Sequence, residues 1–74
     1  QNYFAPAFSN RGELYGLKGD FRNALEDFRI ALNMEKGDQA YIRADLQKTY
    51  QRFQDSKKKD DQKLKAGFET LLAK

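Results

Sequence analysis

One spacing limits what this chain can become. Phe8, Gly12 and Tyr15 fall at i, i+4 and i+7, on one face of a helix. Gly19-Asp20 follows, and then Ala24, Phe28 and Ala31 recur at helical intervals. Two short amphipathic patterns therefore meet at a Gly-Asp turn. Each carries a small residue where two antiparallel helices would touch. A large side chain at Gly12 or Ala24 would hold the pair apart, while Phe8, Tyr15, Phe21 and Phe28 fill the space on either side. Burying each of these aromatics contributes roughly 1.5–3 kcal/mol. An ordinary hairpin would scatter its small residues, so agreement in a single register argues for a helix-turn-helix repeat.

The rest of the chain reads as helix too. Pro6 suits a first helical turn, where its missing N–H costs nothing. Helix A runs from there to about Lys18. Gly19 suits the left-handed residue after a helix, and Asp20 suits the N-cap of the next. Helix B covers about Phe21 to Met34, with Phe21, Ala24, Leu25, Phe28, Ala31 and Leu32 on its apolar face. Gly37-Asp38 repeats the Gly-Asp punctuation and predicts the same cap chemistry before a third helix. Helix C covers about Gln39 to Gln54, with Ile42, Leu46, Thr49, Tyr50 and Phe53 as its stripe. Asp55 to Lys63 has no apolar residue, and helix D follows over about Asp60 to Ala73. With no Gly or Pro in that interval, C and D could form one long bent helix, but two helices joined by a charged link are favoured. No strand pattern longer than a few residues appears, so the fold class is all-α. Residues 1–37 form the repeat with its entry segment, and residues 38–74 a capping helix and C-terminal amphipathic helix of the same domain.

Composition bounds the chemistry. A chain of 74 residues holds one thin core. It has no Cys and no His, which removes disulfides, thiolate metal sites and the commonest general base. Ser9 and Ser56 lack a setting that would make either a nucleophile, and Asp60-Asp61 lies too close to lysines for a metal site. No catalytic residue, cofactor or metal is expected. No apolar run approaches membrane-spanning length, and no signal-peptide pattern opens the chain. A start at Gln1 suggests an excised or processed piece, with a cytoplasmic setting favoured. The net charge of +3 comes entirely from residues 38–74, with nine basic and six acidic residues. Lys57–Lys59 stands beside Asp55, Asp60 and Asp61, which cancel much of its field, so a solvated link is expected rather than a nucleic-acid contact.

Phe8, Gly12, Tyr15, Gly19-Asp20, Ala24, Phe28 and Ala31 together resemble a tetratricopeptide repeat (TPR), a helix-turn-helix unit of about 34 residues. Phe8 takes the place of the large aromatic, Gly12 that of the Gly, Tyr15 that of the Tyr. Ala24 and Phe28 supply Ala-x-x-x-Phe, and Ala31 the later small position. Two positions depart from the pattern. Arg11 stands where Leu is usual, which turns that edge toward solvent or a neighbour, and Lys36 stands near the closing Pro. In the second unit Leu46 occupies the place of the small Gly, as in a terminal capping helix. The second half is also loosely similar to the end of TPR domains in immunophilin-type co-chaperones.

The resemblance implies a protein–protein interaction scaffold that binds a partner peptide or stacks in a repeat array. Its A-helix face would line a peptide groove, here Pro6, Ser9, Asn10, Glu13 and Leu17. Asn10 would hold a partner's backbone or terminal carboxylate, because its amide both donates and accepts. A complete carboxylate clamp is not expected, since Pro6 occupies one of its positions and Arg11 is a position off. The alternative is a structural piece whose repeat edges self-associate into an oligomer, with Tyr3-Phe4 packed on a preceding repeat or a second copy. The Leu64, Phe68, Leu71 and Leu72 face is expected to fold back on helix C or dock on another copy.

Overall fold

Four helices account for most of the described residues. The computed structural model describes residues 4–74. They form α1 (Ala5–Leu17), α2 (Phe21–Met34), α3 (Ala40–Gln54) and α4 (Gln62–Ala73), with no strand among the described residues. Pro6 lies in the first turn of α1. Tyr3 lies outside the described residues, and Phe4 is exposed.

The first turn follows its sequence closely. Gly19 takes φ = 81°, a left-handed conformation that costs glycine little. Its N–H donates to the Gly16 carbonyl at 3.0 Å, and the Asp20 N–H reaches back to Tyr15 at 2.9 Å. This pairing closes the helix end and satisfies carbonyls that α1 leaves open. The Asp20 carboxylate then accepts from the Asn23 backbone N–H at 3.3 Å and from its side-chain amide at 2.7 Å, capping α2.

That cap predicts a pH dependence. The Asn23 side-chain amide lowers the pKa of the Asp20 carboxyl most, helped by the Asn23 N–H and by the charges of Lys58 and Arg22. A carboxyl held below its ordinary 3.8 stabilises the fold above that value, and the contribution is lost as pH falls through the folded-state pKa. Asp20→Ala is expected to lower the melting temperature near pH 6 and to lose that deficit in strong acid. Parallel thermal melts check it, and a deficit independent of pH contradicts it.

The second Gly-Asp pair works differently. Gly37 is not left-handed, since Gly19 alone has positive φ among the described glycines. The Gln39 carboxamide instead donates to the Leu32 and Glu35 carbonyls at 3.0 and 2.8 Å, closing the end of α2. The Asp38 carboxylate accepts from the Ala40 N–H at 2.9 Å, and α3 starts there. A helix starts where the repeated pair predicts one, but a glutamine replaces the glycine as the closing device.

α3 and α4 are separate. The Ser56 hydroxyl donates to the Phe53 carbonyl at 2.7 Å and accepts from the Lys58 N–H at 3.1 Å, so the chain turns without Gly or Pro. Asp61 caps α4 through the Leu64 N–H at 3.1 Å, which starts the helix two residues after the expected Asp60. Lys58 Nζ reaches the Gly19 carbonyl at 3.0 Å, tying this link to the first turn.

α1 packs against α2 and α3, while α4 crosses the other side of α2 and α3 without packing on α1. A Cβ at Gly12 would stand 3.1 Å from the Phe28 ring and 3.3 Å from the Ala24 carbonyl oxygen. That is the close approach the small residues require. Ala24, Phe28 and Ala31 are fully buried beneath it. On the far side, Phe21, Tyr50, Phe53 and Phe68 gather from three helices. Phe53 and Phe68 stack at 5.3 Å, and Phe21 meets the Phe53 edge at 5.4 Å. Phe68 and Leu71 are buried, so the apolar face of α4 folds back onto α2 and α3.

Candidate binding face

The face of α1 splits into a seam and an open stripe. Ser9, Glu13 and Gly16 form the seam against α3. Ser9 is fully buried, and its hydroxyl donates to Asp45 Oδ2 at 2.8 Å. Lys48 Nζ lies 3.3 Å from Glu13. A Cβ at Gly16 would come within 2.7 Å of Thr49 Cγ2. Ser9 therefore does not line a groove, because α3 covers it. Glu13 is half-buried and already engaged with a cation, and Pro6 is half-buried.

Asn10, Leu14 and Leu17 form the open stripe. They fall at i, i+4 and i+7 of α1, and all three are exposed. Leu14 is 57% exposed and Leu17 56%, unusual for leucines in a chain whose other leucines are buried or half-buried. Phe4, just before α1, is also exposed, at 59%. The stripe offers one carboxamide that both donates and accepts, flanked by aliphatic surface. Such a surface suits a peptide, with the amide for its backbone and the leucines for its side chains.

Beside the stripe stands a contact that sequence reading missed. Arg11 donates twice to Asp27 of α2, Nε to Oδ2 at 2.8 Å and Nη2 to Oδ1 at 2.9 Å. The Asp27 side chain is 3% exposed, whereas that of Arg11 is 55% exposed. The guanidinium also lies 5.6 Å from the Phe8 ring centre and 5.8 Å from that of Tyr15. A planar fork can do both, gripping a carboxylate while its face covers aromatic rings. The stem and plane of Arg11 thereby cover the edge of the α1–α2 hairpin. Asp27 alone in an amphipathic helix reads as solvent-facing. Only an Arg on the adjoining helix makes its burial tolerable.

Of the expected site residues, Asn10 and Leu17 lie on one open surface and Ser9 and Glu13 belong to the seam. Leu14 and Gly16 went unremarked in the sequence. Their signals were present, an exposed i+4 partner for Asn10 and a third glycine in helical register. No described helix is long and apolar enough to cross a membrane. Comparison with protein-family models, with curated proteins and with solved structures finds no match.

Proposed function

We propose that this chain is a protein–protein interaction module of the TPR type that presents α1 to a partner peptide. One observation carries the reading. Asn10, Leu14 and Leu17 form a continuous exposed stripe on a helix whose opposite sides are fixed by Gly12 against Phe28 and by Gly16 against Thr49. The helix is therefore rigidly held while its apolar side is left open, and preorganisation of that kind lowers the cost of binding. The packing order also supports the repeat. α3 meets α1 through Asp45, Lys48 and Thr49, and Arg11, Leu14 and Tyr15 precede these by the repeat length of about 34 residues.

The same correspondence favours a second reading. Leu14 takes in α1 the place that Lys48 takes in α3, so an equivalent helix stacked on α1 would cover it. In that case the open edge serves self-association, and sedimentation would show a concentration-dependent dimer or larger assembly that Leu14→Lys abolishes.

The binding reading is tested with peptides selected from a random display library on the intact chain. Asn10→Ala with Leu17→Asp is expected to weaken the selected peptides by about tenfold or more while the helical circular dichroism stays unchanged. Both residues are exposed, so the change spares the core. Glu13 is a poor choice for this variant, because a lysine there would oppose Lys48 across the seam. Unchanged affinity would overturn the assignment of this face.

A further inference from the structure

A second trough lies on the opposite side of the molecule, between α2 and α4. One part has a volume of about 420 Å³ and runs over Leu25, Leu64 and Leu71. A second part of about 620 Å³ continues from it, sharing Arg22, Leu25 and Leu64. The floor is aliphatic and the rim is charged. Gly67 leaves room for the Leu25 side chain on that floor, since a Cβ there would stand 2.2 Å from Leu25 Cδ2.

The rim charges are unequal in availability. Its carboxylates are already engaged: Asp20 caps α2, Asp61 caps α4 and Glu26 is paired with Arg29. Arg22 and Lys63, by contrast, make no ion pair among the described residues. The trough presents an apolar floor whose rim carries more cations (Arg22, Arg29, Lys58, Lys63 and Lys74) than anions (Asp20, Glu26 and Asp61). We infer that it binds an acidic amphipathic segment of a partner protein, with apolar side chains on Leu25 and Leu64 and carboxylates against Arg22 and Lys63. A recessed floor suits side chains entering from a peptide better than it suits a bilayer, into which apolar groups must protrude.

The probe is a short dye-labelled peptide with leucines at three- and four-residue intervals and glutamates between them. Its counterpart carries lysine for glutamate. Fluorescence anisotropy on the full chain should show the acidic peptide binding at least about tenfold tighter than the basic one, and weakening as salt rises past about 0.1 M. Arg22→Glu with Lys63→Glu should remove this preference while leaving the helical signal intact. Gly67→Ala gives an independent check, because its methyl must displace Leu25, which forms the floor, and should lower affinity for the acidic peptide. Amide shifts on binding should cluster at Leu25, Leu64 and Gly67. The inference is overturned if the two peptides bind alike, if the shifts fall on Asn10 and Leu17 instead, or if only anionic phosphatidylserine vesicles bind. It is overturned equally if the chain self-associates through this trough and excludes the peptide.

Discussion

Truncating Phe68 to alanine is expected to cost about 3–5 kcal/mol of folding free energy. The ring is fully buried, stacks on Phe53 at 5.3 Å, tilts over Tyr50 at 5.5 Å and meets Phe21 at 6.4 Å. It is the one aromatic residue of α4, and its ring meets rings from both α2 and α3. A chain of 74 residues holds roughly 4–11 kcal/mol in all, so the loss consumes a large part of its stability. Urea denaturation should show a much lower midpoint. If α4 leaves the folded state altogether, the slope should shrink as well, because less surface remains to be exposed. A loss below about 1 kcal/mol would mean that the surrounding rings collapse into the space, and that α4 is held by something other than this cluster.

Gly16→Leu is expected to cost about 3 kcal/mol for the opposite reason, crowding instead of a cavity. Any Cβ at this position would come within 2.7 Å of Thr49 Cγ2. Thr49 cannot swing aside easily, because it is fully buried and its hydroxyl donates to the Asp45 carbonyl at 2.9 Å. α1 must therefore lift from α3, stretching the Ser9–Asp45 hydrogen bond and the Glu13–Lys48 pair with it. The cause can be isolated. Gly16→Ala introduces only the clashing methyl, and Thr49→Ser removes only the methyl it meets. A double-mutant cycle should show the serine recovering most of the alanine's cost. Independent, additive effects would contradict the seam as described.

These two residues show how far the sequence could be read. The α1–α2 hairpin was legible because its signals are local and redundant. Gly12 and Ala24 mark the contact, Gly19 needs a left-handed backbone, and Asp20 caps the next helix. The fold-back of Phe68 was legible as an apolar face in need of cover, though not the aromatic partners that meet it. The seam was harder. Ser9 is a small polar residue on a helix, and nothing in its neighbours reveals that Asp45 lies across from it. Arg11 and Asp27 are each ordinary surface residues until two helices bring them together. The same holds for the binding face. The resemblance to a TPR pointed to Asn10 and Leu17 together with Pro6, Ser9 and Glu13, and separating them from Ser9 and Glu13 required knowing where α3 lies. The Gly37-Asp38 pair gave the right boundary through the wrong device, because Gln39 reaches back over seven residues to close α2.

The proposed function requires α1 to be a rigidly held helix with one side open for a partner. The most direct measurement is an amide chemical-shift map of the intact chain titrated with a peptide selected on the α1 face. Perturbations should concentrate at Asn10, Leu14 and Leu17, with Gly12, Gly16 and the α3 seam nearly unmoved. Perturbations that spread through the seam, or that leave Asn10, Leu14 and Leu17 unchanged while the peptide binds, would contradict it.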